Sequence, residues 1–123
     1  MKVILNLTVK RKWFDMIKSG EKREEYRSTD NAQVLNAVDR FSYRSVRHMP
    51  LGNDAVMVLR NGYRMDSPAI AVRVVWLESR FWTVHPEWGE PKDRMHFAIA
   101  FDRIVAHGTY AEVKESIKKG DEE

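Results

Sequence analysis

Residues 69–77 read Ala-Ile-Ala-Val-Arg-Val-Val-Trp-Leu, and Ile70, Val72, Val74 and Trp76 recur with a period of two. A helix cannot gather such residues on one side, whereas a strand places all four on a single face. That unbroken apolar face commits the chain to a sheet with one side buried. Three other segments answer it. Residues 3–9 alternate, with Val3, Leu5, Leu7 and Val9 expected on one face and Asn6 and Thr8 on the other. Residues 55–60 set Val56 and Val58 on one face, and residues 96–105 point Phe97, Ile99 and Phe101 inward. Residues 22–27 add a short polar strand or extended segment.

Between these lie helical patterns. Trp13, Phe14, Met16 and Ile17 form an apolar stripe over residues 11–19, with Arg11, Lys12, Asp15 and Lys18 facing out. Gly20 is placed as the left-handed residue that stops this helix. Thr29 or Asp30 is the expected cap of a second short helix through Val34, Leu35 and Val38. Thr109 and Glu112 have the spacing of a capping box for a terminal helix through Val113 and Ile117, and the acidic end from Gly120 to Glu123 is expected to fray. Asn61-Gly62 and Pro50 to Asp54 read as turns. Residues 78–95, with Trp82, His85, Pro86, Trp88, Gly89 and Pro91, read as an irregular surface loop. Phe41 to Met49 is basic and aromatic without a clear period.

The expectation is one α+β domain over residues 1–123, with a core from about 3 to 107 and a helix or tail from 109 to 123. Five to six short strands and two to three short helices fit a small barrel or curled sheet. The chain has no cysteine, which excludes disulfides, thiolate metal sites and cysteine nucleophiles and suits a reducing, cytoplasmic setting. No window approaches the ~20 apolar residues of a membrane-spanning helix, so no membrane partner is expected. His48, His85, His96 and His107 share no metal-ligand spacing, and neither a metal nor a cofactor is expected. The charge is unevenly placed. Residues 1–64 carry 13 Lys/Arg against 7 Asp/Glu, a net of +6, and residues 65–123 carry 8 against 11, a net of −3. An anionic partner would be drawn to the first half.

The segment that carries chemistry is Ser19-Gly20-Glu21-Lys22-Arg23-Glu24-Glu25-Tyr26-Arg27. Strand parity puts Arg23, Glu25 and Arg27 on one face and Lys22, Glu24 and Tyr26 on the other. If Lys22 lies in the turn instead, it reaches Glu25. A partly buried Lys–Glu pair can orient a water or act as acid and base against a carbonyl or phosphate, and Arg27 offers a fork for phosphate or carboxylate. The alternative is an exposed, salt-bridged strand worth about 0–1 kcal/mol per pair.

Ile17-Lys18-Ser19-Gly20-Glu21-Lys22 followed by Glu25-Tyr26-Arg27 resembles the signature of the ASCH (activating-signal-cointegrator homology) family, which is PUA-like. The similarity runs from about Leu5 to Val105 and includes Leu5-Asn6-Leu7-Thr8-Val9, the stretch from Asp54 to Tyr63, Ser67 to Val72, and a closing strand from Phe97 to Val105. The resemblance implies a small PUA-like mixed β-barrel with a cleft beside the first helix. It also implies RNA, a nucleotide or a modified nucleoside as partner. Some members are hydrolases, either ribonucleases or amidohydrolases acting on N4-acetylcytidine. The amidohydrolase branch uses the motif lysine, here Lys22, with a threonine where Glu25 stands, and a later glutamate for which Glu78, Glu87 and Glu90 are candidates. The family commonly has glycine at the position of Asp102. Lys22 and Glu25 are thus the candidate catalytic pair.

Further candidates for ligand contact are Arg27, Tyr26, and Tyr63 with its neighbours Arg60 and Arg64. Tyr63 could stack on a base or pack on a rim. Arg44 and Arg47, interleaved with Phe41 and Tyr43, resemble a nucleic-acid-facing segment or an ordinary charged surface. Trp82 and Trp88 are either loop residues with a function or a small core of their own. Trp13 and Trp76 are expected in the main core.

Overall fold

The computed structural model describes residues 2–41, 49–50 and 55–122, with side chains for 2–37 and 55–120. Arg44 and Arg47, the turn from 51 to 54, and the side chains of Val38 and Phe41 lie outside the described residues. The elements follow the order β1 (Lys2–Thr8), α1 (Arg11–Lys18), β2 (Glu24–Ser28), α2 (Ala32–Phe41), β3 (Met49–Pro50), β4 (Ala55–Arg60), β5 (Pro68–Arg80), a single 3-10 turn at Pro86–Trp88, β6 (His96–Thr109) and α3 (Tyr110–Glu122).

The sheet is mixed and runs β1-β4-β5-β6-β2, with β3 pairing beside β5. β1 and β4 are parallel; the other neighbours are antiparallel. Among the described residues no ladder joins β1 to β2, so the sheet stays open at this seam. The fold is therefore α+β with an unclosed sheet.

Every residue from Ala55 to Leu59 is buried, as expected of a central strand covered on both faces. Met57 and Leu59 join Leu5, Leu7, Ile70, Val72, Val74, Phe97 and Ile99 in one cluster, closed by Phe14 and Ile17 of α1 and Val34 of α2. Val56 and Val58 face the other way, against Tyr110, Val113 and Ile117 of α3. The terminal helix thus covers the outer face, and its capping box forms as the spacing requires. The Thr109 amide donates to Glu112 Oε1 at 2.9 Å, and the Glu112 amide to Thr109 Oγ1 at 3.2 Å.

Several sequence expectations need correcting. Val3 is exposed and Ile4 is buried, because the β1–β4 register shifts between Val3 and Leu5 and reverses the parity beyond it. The cap of α2 is Asn31, whose Oδ1 accepts the Val34 amide at 3.1 Å; Thr29 and Asp30 lie two and one residues too early. β5 and β6 are 13 and 14 residues long, so strand structure covers Glu78 to Arg80 and continues past Val105 to Thr109. Their ladder shifts at three places between Ala71 and Trp76. Trp76 is consequently only half-buried, while Leu77 takes the core position. The terminal helix forms as expected and runs from Tyr110 to Glu122.

Candidate functional site

The cleft lies at the open seam. Its walls come from the end of β1 (Thr8 to Lys10), Trp13 of α1, the Lys22 turn, Glu25 to Ser28 of β2, and Trp88-Gly89 from the loop between β5 and β6. Its volume is about 290 Å³, near the small end of sites that take organic ligands.

The local chain path explains how Lys22 reaches it. α1 ends with Gly20 at φ +89°, and the Gly20 amide returns to the Ile17 carbonyl at 3.1 Å. The Lys22 amide then bonds the Met16 carbonyl at 3.0 Å, which holds Lys22 in the turn ahead of β2. Freed from strand parity, its side chain points towards Glu25, with Nζ 3.5 Å from Glu25 Oε1. Nζ also donates to the Trp88 carbonyl at 2.6 Å and lies 4.6 Å and 5.0 Å from the ring centres of Tyr26 and Trp13. Lys22 is 1% exposed and Glu25 is 6% exposed, so the exposed salt-bridged strand is not what forms. Burial pushes the Lys22 ammonium below its ordinary value, and the opposing pull of Glu25 only partly offsets this.

Glu25 is shared. Arg27 Nη2 donates to its Oε2 at 2.7 Å and to the Thr8 carbonyl at 2.9 Å. A side chain of β2 therefore spans the seam to β1 where no ladder exists. Arg27 Nε is buried and has no acceptor among the described residues. Ammonium, carboxylate and guanidinium thus meet in one hollow, with Tyr26, Trp13 and Trp88 around them. Such a site is shaped to suit a planar group beside aromatic rings and offers positioned donors to carbonyl or phosphate oxygens.

Beside this hollow is a buried network that sequence reasoning missed. Arg80, 3% exposed, donates to Glu24 at 3.1 and 3.2 Å, to Glu78 at 2.9 Å and to Glu90 at 2.7 Å. Tyr26 Oη donates to Glu24 Oε1 at 2.9 Å. Burial and the neighbouring Glu24 carboxylate raise the Tyr26 phenol well above its ordinary value, so it stays a donor. Glu90 also accepts the Val84 and His85 amides, each at 2.8 Å, and bonds His96 Nε2 at 2.6 Å. His96 is fully buried. Its Nδ1 lies 2.9 Å from the Arg94 carbonyl. Burial works against ionisation of Glu90, but the two amides, His96 and Arg80 outweigh it and hold the carboxyl below its ordinary value. Glu90 thus ties down the loop that supplies Trp88.

The other sequence candidates lie elsewhere. Tyr63 is 86% exposed, and Arg64 pairs with Asp66 at the surface. Arg60 stacks on the Tyr110 ring at 3.5 Å and donates to the Gly62 and Arg64 carbonyls, which orders the turn after β4. None of the three lines the cleft. Trp13 is half-buried in the cleft wall rather than in the core. Trp88 stacks on His85, whereas Trp82 is 52% exposed. Among the glutamates considered downstream, Glu78 and Glu90 enter the Arg80 network and Glu87 pairs with His85 at the surface. Among the described residues no group of His, Asp or Glu could hold a metal ion, and no helix is long and apolar enough to cross a membrane.

Gly89 supplies a test of the wall. It has φ +83°, and a Cβ built there would lie 2.7 Å from the Trp13 ring. Gly89→Ala is expected to lower stability by about 1–3 kcal/mol through strain and overpacking and to change Trp13 fluorescence. An unchanged unfolding midpoint would show that the loop does not press on the helix.

Comparison with family models, curated proteins and solved structures finds no match to this chain.

Proposed function

We propose that the chain is a PUA-like, ASCH-type module that binds RNA through a single nucleotide or nucleoside unit held in the Lys22–Glu25–Arg27 cleft. The observation that carries this reading is the convergence of the three charged groups in a hollow of about 290 Å³ walled by Trp13, Tyr26 and Trp88. The hollow has room for one base or nucleoside. Its aromatic walls suit stacking, worth about 1–3 kcal/mol per base, and its donors suit base carbonyls or phosphate. The basic balance of residues 1–64 favours the encounter with a polyanion.

A salt titration of RNA binding, followed by tryptophan fluorescence, tests this directly. The expected result is quenching of Trp13 and Trp88 and an affinity that falls as salt rises. Absence of binding at low salt, or affinity independent of salt, removes the proposal.

A second reading has its own support. A buried lysine with a lowered pKa beside a carboxylate is a common arrangement for proton transfer. On this reading Lys22 and Glu25 act as acid and base in hydrolysis of an RNA phosphodiester or an acylated base such as N4-acetylcytidine. A turnover assay on these two substrates separates catalysis from binding alone.

A further inference from the structure

A second groove, of about 310 Å³, lies between the end of α1 with its turn and the stretch of β5 and β6 around Val72 and Phe101 to Ile104. Lys22 contributes to the walls of both this groove and the cleft. Lys18, Arg23 and Arg103 line the groove and are exposed. Among the described residues none of them makes an ion pair, and the only side-chain bond they form is from Arg23 Nε to the Gly20 carbonyl at 3.4 Å. Asp102 is the one carboxylate lining the groove and is occupied by Arg73, which grips both its oxygens. The Arg73 pairing also holds Asp102 below its ordinary value, so it remains a paired anion. The groove therefore presents three exposed cations outside any ion pair, of which Arg103 also feels the neighbouring Asp102 carboxylate, beside the apolar lining of Ile17, Val72 and Phe101.

We propose that this groove is an anion subsite for the phosphodiester backbone next to the unit held in the cleft, which makes the ligand a single strand of RNA rather than a free nucleotide. The inference rests on the cleft reading above. Two features argue for it. Lys22 lines both the cleft and the groove, so a strand that reaches one at this turn is beside the other. The cleft also takes an unstacked base, which single strands offer and duplexes withhold.

The experiment compares a nucleoside 5′-monophosphate with a single-stranded RNA of about five nucleotides, using the wild-type chain and a Lys18→Ala/Arg23→Ala/Arg103→Ala variant. All three side chains are exposed, and circular dichroism checks the fold. A single Arg103→Glu variant serves as an independent probe. Two phosphate contacts in the groove give a salt slope steeper by about 1.4, or a roughly sevenfold extra loss of affinity between about 50 and 200 mM salt. The expected result is that the triple variant loses this increment for the oligonucleotide and binds the monophosphate as the wild type does. Equal oligonucleotide affinity in wild type and both variants overturns the groove while leaving the cleft standing. Failure of the wild type to bind either probe overturns both.

Discussion

Glu90→Ala will lower the stability of the domain by about 3–5 kcal/mol, the range for removing one partner from a buried charged network. Four groups bond this carboxylate: Arg80, His96 and the Val84 and His85 amides. Truncation leaves both amides without an acceptor and returns the Arg80 charge to Glu24 and Glu78 alone. The measurement is the urea midpoint at unchanged slope. A loss below about 1 kcal/mol would mean that the network adds nothing to the fold. Glu87→Ala is the control, since Glu87 is exposed and among the described side chains pairs only with His85; its midpoint is expected to stay in place.

The pH dependence follows from the same group. The folded Glu90 carboxyl lies below its ordinary value of 4.5. The native state therefore binds its proton less readily than the unfolded chain does. The stabilisation is complete well above pH 4.5, fades as the pH falls past that value, and is gone below the depressed folded value. Glu90→Ala removes this term, so its stability falls less steeply across the acid range than that of the wild type.

On the binding reading, Lys22→Met will reduce nucleotide affinity by about 10- to 150-fold, the equivalent of one charge-assisted hydrogen bond of about 1.5–3 kcal/mol. Methionine keeps most of the buried volume, so the change falls on charge rather than packing. Glu25 retains Arg27, but the Trp88 carbonyl loses its 2.6 Å donor and the loop above the cleft loses one of its ties. Binding and unfolding are measured on the same sample. Unchanged affinity in a folded variant would sink the cleft as the binding site. If the hydrolytic reading holds, Lys22→Ala and Glu25→Ala abolish turnover while the fold survives. Unchanged activity in both removes that reading.

Much of the fold is legible from local chemistry. The alternation at Ile70, Val72 and Val74, the stripe of Phe14 and Ile17, the Gly20 stop and the Thr109–Glu112 box depend on neighbours a few residues away, and each forms. Irregularities in the ladder are not legible. The shift after Val3 and those between Ala71 and Trp76 depend on how two distant strands settle against each other. The site divides in the same way. Lys22 and Glu25 are three residues apart, and a lysine in the turn is sufficient to bring them together. Arg80, by contrast, meets Glu24 across 56 positions. The usable signal was the charge of Glu78 and Arg80 continuing an apolar strand, together with Glu90 and His96 flanking a loop rich in Trp, Pro and Gly.

The β5–β6 hairpin divides its work along its length. Near Pro68 and Thr109 it supports α3. At its other end, where Arg80 faces His96, it holds out the segment that roofs the cleft. Lengthening a surface connection adds only about 0.6 kcal/mol for each doubling of its length. Exposed residues of this segment that make none of the contacts described above, such as Phe81, Trp82 and Lys92, can therefore be exchanged, or the chain lengthened beside them, with little effect on the body of the domain. This hairpin tip is where a designer, or natural variation, would reshape the roof of the cleft while leaving the fold unchanged.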